Sequence, residues 1–156
     1  MGKIAKIEPY TTENGDGVRL SIFISGCSIR CENCHNKELW DYNYGEDFGT
    51  KHIELIESKL MEDMISGVSI LGGEPFDSPY LLLDILYVIY ANMRHEQSVW
   101  VYTGYTIEDL LKDELNRSLL KYIDILVDGS YDENLKVLDE YRGSSNQRYI
   151  YPKDYL

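Results

Sequence analysis

Apolar residues along the chain fall into short continuous runs separated by amphipathic stretches. Arg19 to Ser25 (RLSIFIS) is such a run; it ends at Gly26 and reads as a buried strand feeding a loop. Ile53, Ile56, Leu60 and Met64 recur at helical spacing with Glu54, Glu57 and Lys59 between them, which predicts a helix over Lys51 to Ile65 capped by Thr50. Val68 to Leu71 is a second β-branched run, stopped by Gly72 and Gly73, and Ser78 with Pro79 opens a helix to about Met93. Ser98 to Tyr102 and Ile123 to Val127 repeat the strand pattern, with Thr106 to Asp109 shaped as a capping box between them. Asp132 to Glu140 fits either loop or helix.

Strands alternating with helices imply βαβ units, right-handed crossovers and a mainly parallel sheet, so the expected fold class is α/β. A closed eight-stranded barrel takes roughly 250 residues. This chain of 156 has material for about five or six strands, in an open, partial (β/α) barrel or an open wound sheet. One domain over residues 1–156 is expected. A site belongs at the carboxyl ends of the strands, where the loops after Ser25 and Leu71 emerge.

Charge narrows the partners. With 15 Lys and Arg against 27 Asp and Glu, the formal charge is -12, the wrong sign for a phosphate backbone or an anionic membrane surface. Direct contact with nucleic acid is not expected. No apolar stretch approaches the ~20 residues of a bilayer span, and Leu81 to Ile89 is interrupted by Asp84. The N-terminal MGKIAKIEPY has no apolar core or small-residue cleavage site, so the cytoplasm is the expected compartment.

All three cysteines lie within the stretch CSIRCENC, at Cys27, Cys31 and Cys34. An odd, tightly clustered set makes a poor disulfide framework, and in a reducing compartment these are candidate metal ligands. Structural zinc is normally closed by four protein ligands; His35 is adjacent to Cys34, and His52 and His95 fall on helical segments. A 4Fe-4S cluster normally takes four cysteines, so three would leave one iron open to another ligand. Three buried structural cysteines are the bland alternative, against which the polar neighbours Ser28, Arg30, Glu32 and Asn33 argue. Other segments have plain readings. Gly72-Gly73-Glu74-Pro75 is a turn after a strand whose carbonyls could meet an ammonium group. Asn14 to Gly17 is a tight turn, after which Arg19 is either structural or faces an anionic group near the cysteines. Asp128 ends a strand before Gly129, either as a turn pair or as an acceptor for a ribose hydroxyl. Trp100 reads as core, and Trp40 as a shield for the cysteines or a partner contact.

The C-x3-C-x2-C spacing just after a first strand resembles the signature of the radical S-adenosylmethionine enzymes, and GGEP resembles their motif for the methionine amino group. That resemblance implies one 4Fe-4S cluster on Cys27, Cys31 and Cys34, with S-adenosylmethionine chelating the open iron. It also implies cofactor contacts from Gly72, Gly73 and Glu74, beside which Asp128 stays a candidate ribose contact. Where the superfamily often has an aromatic residue before the third cysteine, this chain has Asn33, which shifts the expected adenine contacts to the backbone of Cys34 and His35, with Asn33 kept as an expected cofactor-site residue. NGDGVR, CSIRCENCHN, GGEP, WVYTGY, ILVDGSY and YRGSSNQR, in this order, resemble the activating enzymes of anaerobic class III ribonucleotide reductases. That family installs a glycyl radical on the large reductase subunit. The resemblance implies a cluster loop at 26–36 and a partner loop at about 141–148, with Arg142, Gly143, Ser144, Ser145, Asn146 and Gln147 meeting the reductase. It also implies a low-potential electron donor such as a flavodoxin. Activation of pyruvate formate-lyase or another glycyl-radical enzyme is the rival within the same chemistry. A non-catalytic iron-sulfur electron carrier is the rival outside it.

Overall fold

Along β2 (Val18–Ile24), Leu20, Ile22 and Ile24 alternate with Arg19, Ser21 and Phe23, and that alternation sets the layers of the molecule. The first three join one buried cluster with Val68, Ile70, Val99, Val101 and Leu126 from neighbouring strands. Helix residues Ile56, Leu60, Leu82, Ile85, Leu86, Ile89 and Leu119 complete it. The computed structural model describes residues 1–34, 36–138 and 141–156.

Among the described residues the chain forms a six-stranded sheet in the order β1 to β6: β1 (Ile4–Thr11), β2, β3 (Ile65–Gly72), β4 (Ser98–Tyr102), β5 (Ile125–Asp128) and β6 (Arg148–Ile150). β2 through β5 pair in parallel, while β1 and β6 join antiparallel as the two edges, so the sheet is mixed, mostly parallel and not closed. Crossovers run through α1 (Thr50–Leu60), α2 (Pro79–Asn92), α3 (Ile107–Leu110) and α4 (Glu114–Leu120).

The four expected strands and two long helices are all present, with informative changes at their ends. α1 stops at Leu60 rather than Ile65, because Ile65 already pairs with Val18 to begin β3. Met64, expected on the apolar helix face, is 58% exposed. The cap of α1 is Gly49, whose N–H donates to His52 Nδ1 (3.0 Å), rather than Thr50. Thr106 caps α3 as expected, its hydroxyl accepting from the Asp109 amide (3.2 Å). The stretch after Asp132 is mainly irregular around a short 3-10 turn at Glu133–Leu135; Asp139 and Glu140 lie outside the described residues.

The sheet face away from the helices is polar near its centre. Ser21, Ser69 and Trp100 lie in register across β2, β3 and β4. Segment 12–17 bends over this face: Asn14 Nδ2 donates to Ser21 Oγ (3.1 Å) and its carbonyl accepts from Ser69 Oγ (2.6 Å). Arg19 is fully buried here. It donates to Ser69 Oγ (2.8 Å) and to the carbonyls of Asp16 (3.0 Å), Val68 (3.0 Å) and Ser98 (2.6 Å), with its guanidinium 5.6 Å from the Trp100 ring centroid. Burial lowers its pKa to about 10. The option that Arg19 faces an anion beside the cysteines is thereby corrected: it starts β2, at the opposite end from the cysteine loop, and its donors are spent on carbonyls and a hydroxyl. Trp100 is buried, as expected.

Candidate metal centre

β2 ends in Ser25 and Gly26, and the chain then turns through the cysteine loop. Arg30 (φ 51°) and Asn33 (φ 59°) both adopt left-handed backbone, uncommon for residues with a Cβ. The loop is tied at its base: Gly26 N–H donates to the Leu39 carbonyl (2.7 Å) and Cys27 N–H to that of Trp40 (3.3 Å). Arg30 Nε returns to the Cys27 carbonyl (3.3 Å), and Arg30 and Lys37 lie over the Trp40 ring. The Trp40 Nε1–H is buried with no hydrogen-bond partner among the described residues. Cys27 is buried, Cys31 and Cys34 are half-buried, and all three are free thiols opening on one cavity of about 170 Å³. Burial raises the Cys27 pKa, and the charges of Glu74 and Asp77 push in the same direction.

The glycine loop forms the adjoining wall. Gly73 N–H donates to the Ile24 carbonyl (2.7 Å) and Glu74 N–H to that of Gly26 (2.8 Å), so the β2–β3 ladder continues into the cysteine loop. Gly72 has φ 119°, and a Cβ on Gly73 would come 2.6 Å from the carbonyl oxygens of Gly26 and Leu39. These glycines let the two loops close on each other, whatever the cavity binds. Glu74 is buried and joins β3 to the loop after β4: Oε1 accepts from the Gly104 amide (2.7 Å), Oε2 from Thr103 Oγ1 (2.8 Å) and the Phe76 amide (3.0 Å). Burial pushes its pKa up to about 7 in spite of those three donors.

No three His, Cys, Asp or Glu side chains among the described residues converge as the ligand sphere of a single ion. A cubane cluster asks for less convergence, since its thiolates bind different iron corners, and thiols are the ligands it takes. The donor set and the glycine-walled cavity fit such a group. Residues 13–150 match the model of a protein family described as a 4Fe-4S single cluster domain. Similar proteins carry the name anaerobic ribonucleoside-triphosphate reductase-activating protein. That of phage T4 is 32% identical over 92% of this chain and 90% of its own. That of Pasteurella multocida is 33% identical over 90% and 93%, and that of Escherichia coli K12 is 36% identical over 89% and 92%. The chain belongs to this family of activating proteins.

In this activating-protein chain the cavity is completed by the first residues after each parallel strand: Thr103 and Gly104 after β4, Gly129 after β5, with Tyr102, Tyr131 and Gln147. Of these, sequence reasoning named only Gln147, and that as a partner contact; the strand-end rule that led to the glycine loop points equally to Thr103, Gly104 and Gly129. Asn33 opens not on this cavity but on a neighbouring one, with Glu32, Tyr131 and Asn146. The expected contact at His35 lies outside the described residues. Asp128 does not line the cavity. Its buried carboxylate accepts from the Ile107 amide (2.9 Å) and from Arg148 Nε (3.0 Å) and Nη2 (2.6 Å), tying β5 to α3 and β6.

The 142–147 loop is held largely by its own bonds. Arg142 Nη1 donates to the carbonyls of Ser145 (3.0 Å) and Gln147 (2.8 Å). Gln147 Oε1 accepts from the Gly143 (2.8 Å) and Ser144 (3.0 Å) amides while its Nε2 donates to the Gly129 carbonyl (2.9 Å). Ser144 is buried, whereas Gly143, Ser145 and Asn146 are exposed. The loop therefore docks against the β5 turn and delivers Gln147 to the cavity wall.

Proposed function

We propose that this protein is a radical S-adenosylmethionine activase that generates a glycyl radical on the large subunit of the anaerobic ribonucleotide reductase. The observation that carries the reading is the meeting of three thiols and the Gly72-Gly73 loop on one cavity at the carboxyl ends of parallel strands. Cys27, Cys31 and Cys34 would hold a 4Fe-4S cluster, and there is no fourth cysteine in the chain. When bound, the cluster supplies the electron that cleaves S-adenosylmethionine. The chain's own residues would do the rest. The glycine loop, which lines the cavity, would offer its carbonyls to the cofactor's ammonium, and Glu74 fixes that loop against Thr103 and Gly104. Adenine would lie near the backbone of Cys34 and His35. The 142–147 loop, at the cavity rim, would face the reductase. The single domain would be an open, partial (β/α) barrel, working in the cytoplasm and reduced by a low-potential donor such as a flavodoxin. Support from outside the site is the family itself, whose named members are reductase activators.

The test mixes anaerobically reconstituted, reduced protein with S-adenosylmethionine and the reductase. The expected result is methionine release and a glycyl radical signal in electron paramagnetic resonance. Cluster assembly without methionine release, or a Cys31→Ala variant retaining full iron content, would overturn the reading.

A further inference from the structure

Asp77 lies outside the cysteine and glycine motifs, at the end of the short turn Pro75–Asp77. Yet side chains and backbone from three separate loops converge on its carboxylate. Oδ2 accepts from the Ser28 amide (2.7 Å) and from the Tyr42 hydroxyl (3.3 Å), and Oδ1 accepts from the Tyr105 hydroxyl (2.5 Å). Ser28 Oγ is in turn 3.2 Å from the Tyr105 hydroxyl. Ser28 directly follows Cys27, the one buried thiol of the three. Burial, and then the bond to Asp77, push the Tyr105 hydroxyl pKa up to about 12, so this tyrosine is a proton donor to the carboxylate at all ordinary pH.

We propose that Asp77 is a positioning residue for the metal centre: it takes the Ser28 amide for itself and sets a negative charge beside the Cys27 corner, holding a bound cluster at a lower reduction potential. The inference rests on the functional reading above. Two effects act in the same direction. Amide N–H groups donated to cluster sulfurs stabilise the reduced, more negative state, and here the amide next to Cys27 is turned to a carboxylate instead. A fixed anion nearby also opposes arrival of the electron. Reduction adds one electron from the external donor and breaks no bond, so the residue acts only on how readily that electron is accepted. A low potential suits a centre that must reduce a sulfonium.

The experiment is a redox titration of the reconstituted protein with a chemical reductant, followed by electron paramagnetic resonance. Iron content and the thermal midpoint of the cluster-free protein are measured alongside. Asp77→Asn keeps an oxygen for the Ser28 amide but removes the charge, and its midpoint potential is expected to move to a less negative value at unchanged iron content. Asp77→Ala releases the amide as well and is expected to move further the same way. Tyr105→Phe keeps both charge and amide bond and is expected to show no positive shift. Equal potentials for the parent and Asp77→Asn would overturn the inference alone. So would a Tyr105→Phe shift as large as that of Asp77→Asn, or loss of iron in Asp77→Asn matched by a fall in cluster-free stability, since either would make Asp77 only a brace. A parent that assembles no cluster would overturn the functional reading and this inference with it.

Discussion

Gly73 shows how one residue can serve two ends at once. It lines the cavity, while the hydrogen a Cβ would replace points at the Gly26 and Leu39 carbonyls, 2.6 Å from that Cβ position. Gly73→Val is therefore expected to disturb the cysteine loop along with cofactor binding. Iron uptake and the cluster-free thermal midpoint should both fall, and a variant that loses only affinity for S-adenosylmethionine would show that the loop gives way easily. Glu74 makes a pH prediction. Its folded pKa, about 7, stands above the ordinary carboxylate value of 4.5. The unfolded chain thus releases this proton first as pH rises, and the folded state loses stability relative to it between those two values. The advantage of the parent over Glu74→Gln is expected to shrink as pH rises from 4.5 to 7, read by urea unfolding of the cluster-free protein. An advantage that grows over that range would mean that the three donors outweigh burial. The cysteines and the glycine pair were legible because their spacing is local. Asp77, Tyr105 and Ser28 were not, because no spacing within the chain announces that three loops will meet.

At the scale of elements, the buried strands and α1 and α2 could be read from the chain because each buries enough apolar surface to impose a period. The edge strands could not. β1 has a mostly half-exposed pattern and β6 is only three residues long, so neither carries the continuous apolar run of a central strand. α4 is seven residues and depends on the Asp113 cap, whose carboxylate accepts from the Asn116 amide (2.9 Å). α2 offers a direct check on which face supplies stability. Ile85 is fully buried between the sheet and its neighbouring helices, whereas Tyr87, two positions on, is 76% exposed. Ile85→Ala is expected to cost about 2–5 kcal/mol, and Tyr87→Ala to stay within about 0.5 kcal/mol, both by denaturant unfolding. Similar losses at the two positions would mean that the outer face of α2 is packed against something.

For the whole molecule, the question is how a small acidic activating protein would meet the reductase proposed as its partner. The resemblance made the 142–147 loop an expected partner contact, but could not show that the loop helps to build the cavity. Arg142 fastens Ser145 and Gln147 through their carbonyls, and Gln147 reaches the wall that holds Gly129. Arg142→Ala should therefore loosen Gln147, lowering stability by about 1–3 kcal/mol, as expected for hydrogen bonds from a charged group. It should also reduce S-adenosylmethionine cleavage measured without reductase. Ser145 is exposed, and its amide and carbonyl make the loop's bonds to Leu135 and Arg142. Ser145→Trp adds bulk at the tip without removing those bonds. It is expected to keep unaided cleavage while lowering the glycyl radical yield on the reductase, with partial recovery as reductase concentration is raised. The two variants separate building the cavity from docking the partner. If Arg142→Ala keeps its thermal midpoint and unaided cleavage but loses radical transfer, the guanidinium itself contacts the reductase; if Ser145→Trp transfers the radical in full, the exposed tip faces solvent in the complex and docking lies elsewhere on the rim.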